Sequence, residues 1–229
     1  MAVAFDKTVS VQGNRVTSST TPVIAPAGAN LWLGCFVILE QGNSVSAGTP
    51  PVKNATAFSL VRADEDVTSG QRIELWELTA PSTASETVVV TYTGQTQEDV
   101  VVGLISTNGV NQTTPRQGTV VGTGSDQDAT ATITSAAGNL VLAGVSTEPG
   151  MTLTVGTGTT DAWTNIDGGK APMSSGGYEA GVASTVINWS IDVTSMWRIL
   201  AVSLAAAAAA PAGYGKLLAS ERNRLVRVA

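Results

Sequence analysis

The sequence predicts an all-β fold, an antiparallel β-sandwich of jelly-roll-like kind with a C-terminal extension, and three observations predict it. Short runs rich in Val, Ile, Leu and Thr recur about every ten to fifteen residues, separated by Gly, Pro, Asn and Ser clusters, which is the spacing of sandwich strands. β-Branched residues crowd those runs, and their stiff χ1 torsions suit a pleated surface better than a helix. Helix-favouring composition is confined to the alanine run 205–210 and the segment 216–228.

Taken in order, residues 3–11 open the series with loose alternation, and Gly13 with Asn14 supplies a turn. The stretch 31–40, LWLGCFVILE, is apolar almost throughout, as expected of a central strand covered on both faces. Residues 57–62 and 72–79 pair around the acidic turn 64–70. In the second of them, Ile73 and Leu75 should project to one face and Glu74 and Trp76 to the other. Pro81 stops that strand, and the runs 86–93 and 99–106 flank a turn at Gly94. Further strands are expected at 118–121, 128–134, 139–147, 151–155, 162–166, 177–186 and 192–204. The Gly122/Gly124 and Gly156/Gly158 pairs read as hairpin turns. No strict internal repeat is visible, so 1–204 reads as one sandwich domain and 205–229 as an Ala-rich spacer with a basic tail.

Three segments together resemble a recurrent β-sandwich module of bacteriophage virion proteins and bacterial surface proteins. They are RIELWELTAP (72–81) leading into TVVVTY (87–92), then VVGLISTNGVNQTTP (101–115), then WRILAVSL (197–204). The resemblance implies a jelly-roll-like sandwich with a structural or adhesive role, and it brings no catalytic set. The same residues also act as folding signals. Trp76 and Trp197 are rings large enough to fill the gap between sheets, and Pro115 fixes the exit of a turn.

The net charge of −6 is unevenly divided. Residues 213–229 carry Lys216, Arg222, Arg224 and Arg227 against Glu221, a net +3, which leaves 1–212 at −9. Such a tail, with Leu217, Leu218 and Leu225 to bury, is expected to pair with an acidic surface on a neighbouring subunit. An acidic body argues against nucleic acid as a partner. No apolar run approaches the ~20 residues that span a bilayer, so no membrane role is expected. The start, MAVAFDK, lacks a basic stretch followed by an apolar one, so no secretory signal is expected.

The chain has no histidine, which removes Ser-His-Asp and Cys-His nucleophilic sites. With one cysteine, it also lacks the ligands of an ordinary zinc centre. Cys35, inside the most apolar run, reads as a small buried hydrophobe. Glu74/Glu77, Glu98/Asp99 and Asp126/Asp128 leave a residual route to glycoside hydrolysis. The first pair should point to opposite faces, however, and the others sit at turns. Acidic loops at 64–66 and 126–128 do not match an EF-hand spacing. No catalytic, metal or cofactor-binding residue is assigned, and no cofactor is expected. Trp163, Tyr178 and Trp189, near Gly-rich turns, are the aromatic candidates for binding a glycan.

These readings lead to a non-enzymatic virion structural protein, assembled in the host cytoplasm, of the capsid decoration (cement) type. Its expected partners are the major capsid protein or other virion subunits. It should form a homo-oligomer, a trimer by analogy with the setting. Lys216, Leu217, Leu218, Arg222, Arg224, Leu225 and Arg227 would make the partner contact. The alternative is a tail-fibre or surface module that binds a host receptor or glycan.

Overall fold

The computed structural model describes residues 1–14, 16–40, 44–45, 49–66, 71–93, 99–165 and 173–208, and these build an all-β body. The strands of the first half are β1 (Ala4–Asn14), β2 (Ser18–Thr20), β3 (Trp32–Glu40), β4 (Ser44–Val45), β5 (Val52–Lys53), β6 (Thr56–Ala57), β7 (Ser59–Asp66), β8 (Gln71–Thr79), β9 (Val88–Thr93) and β10 (Asp99–Asn108). Those of the second half are β11 (Arg116–Gly124), β12 (Asp128–Thr134), β13 (Leu140–Thr147), β14 (Leu153–Val155), β15 (Thr160–Asn165), β16 (Met173–Ala180), β17 (Ser184–Ile191) and β18 (Trp197–Leu204).

They form four antiparallel sheets stacked as four layers. The outer layer of the first half is β2-β9-β5-β6, with β4 beside β9, and it covers β1-β10-β3-β8-β7. The second half repeats the plan, with β11-β18-β13-β16-β15 covered by β12-β17-β14. Three apolar cores lie between the layers. One is sealed inside the first half by Leu33, Cys35, Val37, Trp76, Val88 and Val90. One is sealed inside the second by Val141, Ala143, Ile187, Trp189 and Ile199. The third joins the halves, with Trp32, Phe36, Ile38, Ile73 and Leu75 meeting Leu140, Leu142, Trp163, Leu200 and Val202. A sheet buried on both faces needs apolar residues at every position, which is why β3 lacks alternation. The outer strand β12 alternates strictly between exposed and buried.

The expected sandwich is therefore present twice. Residues 1–110 and 111–208 form two sandwich units that share a core. Each unit splits its strands between a five-stranded inner sheet and an outer one, of five short strands in the first unit and three in the second. The connectivity matches strand for strand: β1, β2, β3, β5, β7, β8, β9 and β10 correspond to β11 through β18 in order. Two β-bulges recur at the same places. One lies between Phe5 and Lys7 in β1, and between Arg116 and Gly118 in β11. The other lies between Leu60 and Arg62 in β7, and between Asp161 and Trp163 in β15. Both bulges set one alignment. Trp32, paired with Thr107 and Thr79, matches Leu140, paired with Leu204 and Ala180.

Several expected boundaries change. The run 177–186 contains the turn between β16 and β17, where the Gly181 N–H donates to the Asn139 carbonyl. Residues 192–196 form a loop before β18, pinned by Asp192 accepting the Thr152 N–H. Gly122 and Gly124 lie within β11 instead of at a turn. A Cβ at Gly122 would sit 2.9 Å from the Thr130 carbonyl oxygen, and one at Gly124 would strike the Trp197 ring. The start of the alanine run is extended, not helical. Ala205 and Ala207 donate to the carbonyls of Pro115 and Gly109, each at 2.8 Å, and Ala206 bridges Val110. Tertiary pairing overrides the helix preference of alanine here, and 205–207 belongs to the body. Segment 216–228 lies outside the described residues.

Candidate functional site

The aromatic candidates are placed in the interior. Trp163 is buried in the core between the units, in space that a Cβ at Gly103 or Gly176 would occupy. Trp189 is buried in the second unit, and its Nε1–H donates to Ser175 Oγ at 3.0 Å. Tyr178 is half-buried and stacks on Phe5 with ring centroids 4.4 Å apart and planes within 8°. Trp163 and Trp189 offer no free ring face to a sugar, and Tyr178 has one face covered by Phe5. The tail residues Lys216, Leu217, Leu218, Arg222, Arg224, Leu225 and Arg227 lie outside the described residues.

Three of the candidate carboxylates hold indole N–H groups. Glu74 and Glu77 project to opposite faces of β8, as the strand period requires. Glu74 accepts from Trp76 Nε1 at 2.8 Å and from Arg72 Nε at 2.7 Å. Glu77 accepts from Trp32 Nε1 at 2.9 Å and pairs with Arg116 Nε at 3.2 Å. Asp126 accepts from Trp197 Nε1 at 2.7 Å. A buried indole N–H needs an acceptor, and three of these acids supply one. Asp128 is exposed at the start of β12, Asp99 opens β10, and Glu98 lies outside the described residues. Among the described residues, no three His, Cys, Asp or Glu side chains gather in a group that could hold a metal ion, and no helix is long and apolar enough to cross a membrane. Cys35 is fully buried, and burial first, then the Glu74 charge, pushes its thiol far above the ordinary range. A shallow groove of about 370 Å³ follows Thr113–Thr119, where the chain crosses between units.

Charge distribution is the most distinctive surface property. Among the described residues, four cations of the body pair closely with its own acids: Lys53–Glu86 at 2.7 Å, Arg72 with Glu65 and Glu74, Arg116–Glu77, and Arg198–Asp64. Lys53 is buried, and its ammonium also donates to the carbonyls of Ser82 and Ala84. Desolvation holds the Arg198 guanidinium below its usual pKa. Several acids, some of them in these same ion pairs, share one end of the strands. The end where β3, β7 and β13 finish and β8, β10 and β18 begin carries Asp64, Glu65, Asp126, Asp128, Glu148 and Asp192. At the opposite end, Met1 N donates to the Ala207 carbonyl at 3.2 Å, and the chain leads on towards 209–229. The sequence reading found the charge asymmetry. It missed that Asp64, Glu65, Asp126, Asp128, Glu148 and Asp192 share one strand end, because register and topology decide that.

Comparison of the chain with family models, curated proteins and solved structures yields no match.

Proposed function

We propose that the protein is a bacteriophage virion structural protein of the capsid decoration type, working by contact area and charge complementarity instead of catalysis. The observation that carries this reading is the separation of charge. Among the described residues Lys53, Arg72, Arg116 and Arg198 pair with acids of the body and one strand end is rich in acids, while residues 213–229 carry a net +3. Such polarity suits a subunit whose tail lies on an acidic neighbour in an assembly, either another copy or a shell subunit. The strand order within each unit supports reading the sandwich as a jelly-roll derivative in which β7 and β15 have joined the inner sheet. The sequence resemblance to virion modules supplies the setting. The glycan-binding alternative has less to rest on, because two of its three rings, Trp163 and Trp189, are buried.

Deleting 213–229 tests the reading. The expected result is loss of incorporation into particles with an unchanged unfolding curve for the body. Unchanged occupancy on purified particles would overturn it.

A further inference from the structure

The contact between the units has the geometry of a symmetric dimer interface. Under the alignment set by the bulges, Phe5 corresponds to Arg116 and Glu77 to Tyr178. Phe5 stacks on Tyr178, and Arg116 pairs with Glu77. The same two positions thus meet twice, once as an aromatic stack and once as an ion pair. Reciprocal contact of this kind, i to j and j to i, marks a two-fold relation. A residue on such an axis must face its own counterpart. Phe36 corresponds to Gly144, and a Cβ at Gly144 would lie 2.9 Å from the Phe36 ring.

We infer that the face joining the units is a quasi-two-fold interface, in which each unit receives a diverged copy of its own sandwich, and that this chain is two such copies fused. The two copies have diverged so that the correct pairing is unique. Two rings at the axis would collide and two glycines would leave a void, so Phe36 opposite Gly144 fits where either like pair fails. Pairing of first units alone would set Phe5 against Glu77, and pairing of second units would set Arg116 against Tyr178. Each like pairing therefore loses both the stack and the ion pair. This inference does not depend on the virion reading.

Exchange across the axis tests it in the full chain. Phe36→Gly and Gly144→Phe should each lower the melting temperature by about 5–15 °C, one by emptying the axis and the other by overfilling it. The double variant Phe36→Gly/Gly144→Phe puts the ring back on the axis from the other side, and it should recover at least half of the summed loss. Losses that simply add would overturn the two-fold relation. As a second measurement, a protease site inserted between Thr113 and Thr114 in the otherwise unaltered chain should, once cut, leave both fragments in one 1:1 complex by native mass spectrometry. Fragments that separate, or that re-pair each with its own kind, would overturn the inference.

Discussion

The two units share a connectivity but differ in what they present to each other. At the acidic end of the shared core, the first unit contributes the row Ile73, Ile38 and Val101 across neighbouring strands. The equivalent row of the second unit is Ser174, Ser146 and Arg198. Ser146 and Ser174 are fully buried, and their hydroxyls have no hydrogen-bond partner among the described residues. Elsewhere in the seam the second unit supplies a buried ring, Trp163, where the first has the exposed Arg62. One topology thus tolerates opposite chemistry at equivalent positions. Bulges and register hold the frame, while side-chain identity is free to vary with the partner opposite.

Variants at equivalent positions can break this comparison, and Trp163 should give the largest effect. Trp163→Ala removes a buried ring from both units' packing and should cost about 3–5 kcal/mol in urea unfolding. Arg62→Ala, at the matching exposed position, should stay within about 0.5 kcal/mol. Equal losses would mean that the seam does not depend on the ring. Next comes Glu77→Ala, which strands the buried Trp32 Nε1–H as well as Arg116 and should cost about 1–3 kcal/mol.

Ser146→Val should act in the other direction. It replaces an unpartnered buried hydroxyl with the kind of side chain the first unit uses at the matching Ile38, and a gain of about 1 kcal/mol is expected. A loss would reveal a partner for that hydroxyl. The smallest effect belongs to Glu179, whose carboxyl is raised above its ordinary 4.5 by partial burial. A raised folded-state pKa means that its contribution is fully present below 4.5 and is lost as pH rises through the folded-state value. Glu179→Gln should therefore gain on the parent as pH rises from about 4 to 7, read as a widening difference in melting temperature.

Much of the fold was legible because burial writes itself into strands. The unbroken apolar run of β3 announced a strand covered on both faces, and the alternation of β12 announced an outer one. The opposite orientation of Glu74 and Glu77 followed from the strand period alone. The duplication was not legible, since equivalent residues differ in kind: Phe5 and Arg116, Glu77 and Tyr178, Ile38 and Ser146. The most visible echo even misleads. Asn30-Leu31-Trp32-Leu33 and Asn139-Leu140-Val141-Leu142 look alike, yet the pairing aligns Trp32 with Leu140. Overlaying the two motifs is wrong by one residue, which in a strand sends every side chain to the opposite face. Nor could composition tell that Trp163 and Trp189 near glycines are interior. Those glycines are small to admit the rings, not to bend the chain.

Cys35 is the sole sulfhydryl of the chain and lies at the centre of the first unit's private core. An alkylating reagent can reach it only when that sandwich opens. Its labelling rate is consequently a clock for one half of the molecule, read without any signal from the other, and it needs no engineered probe.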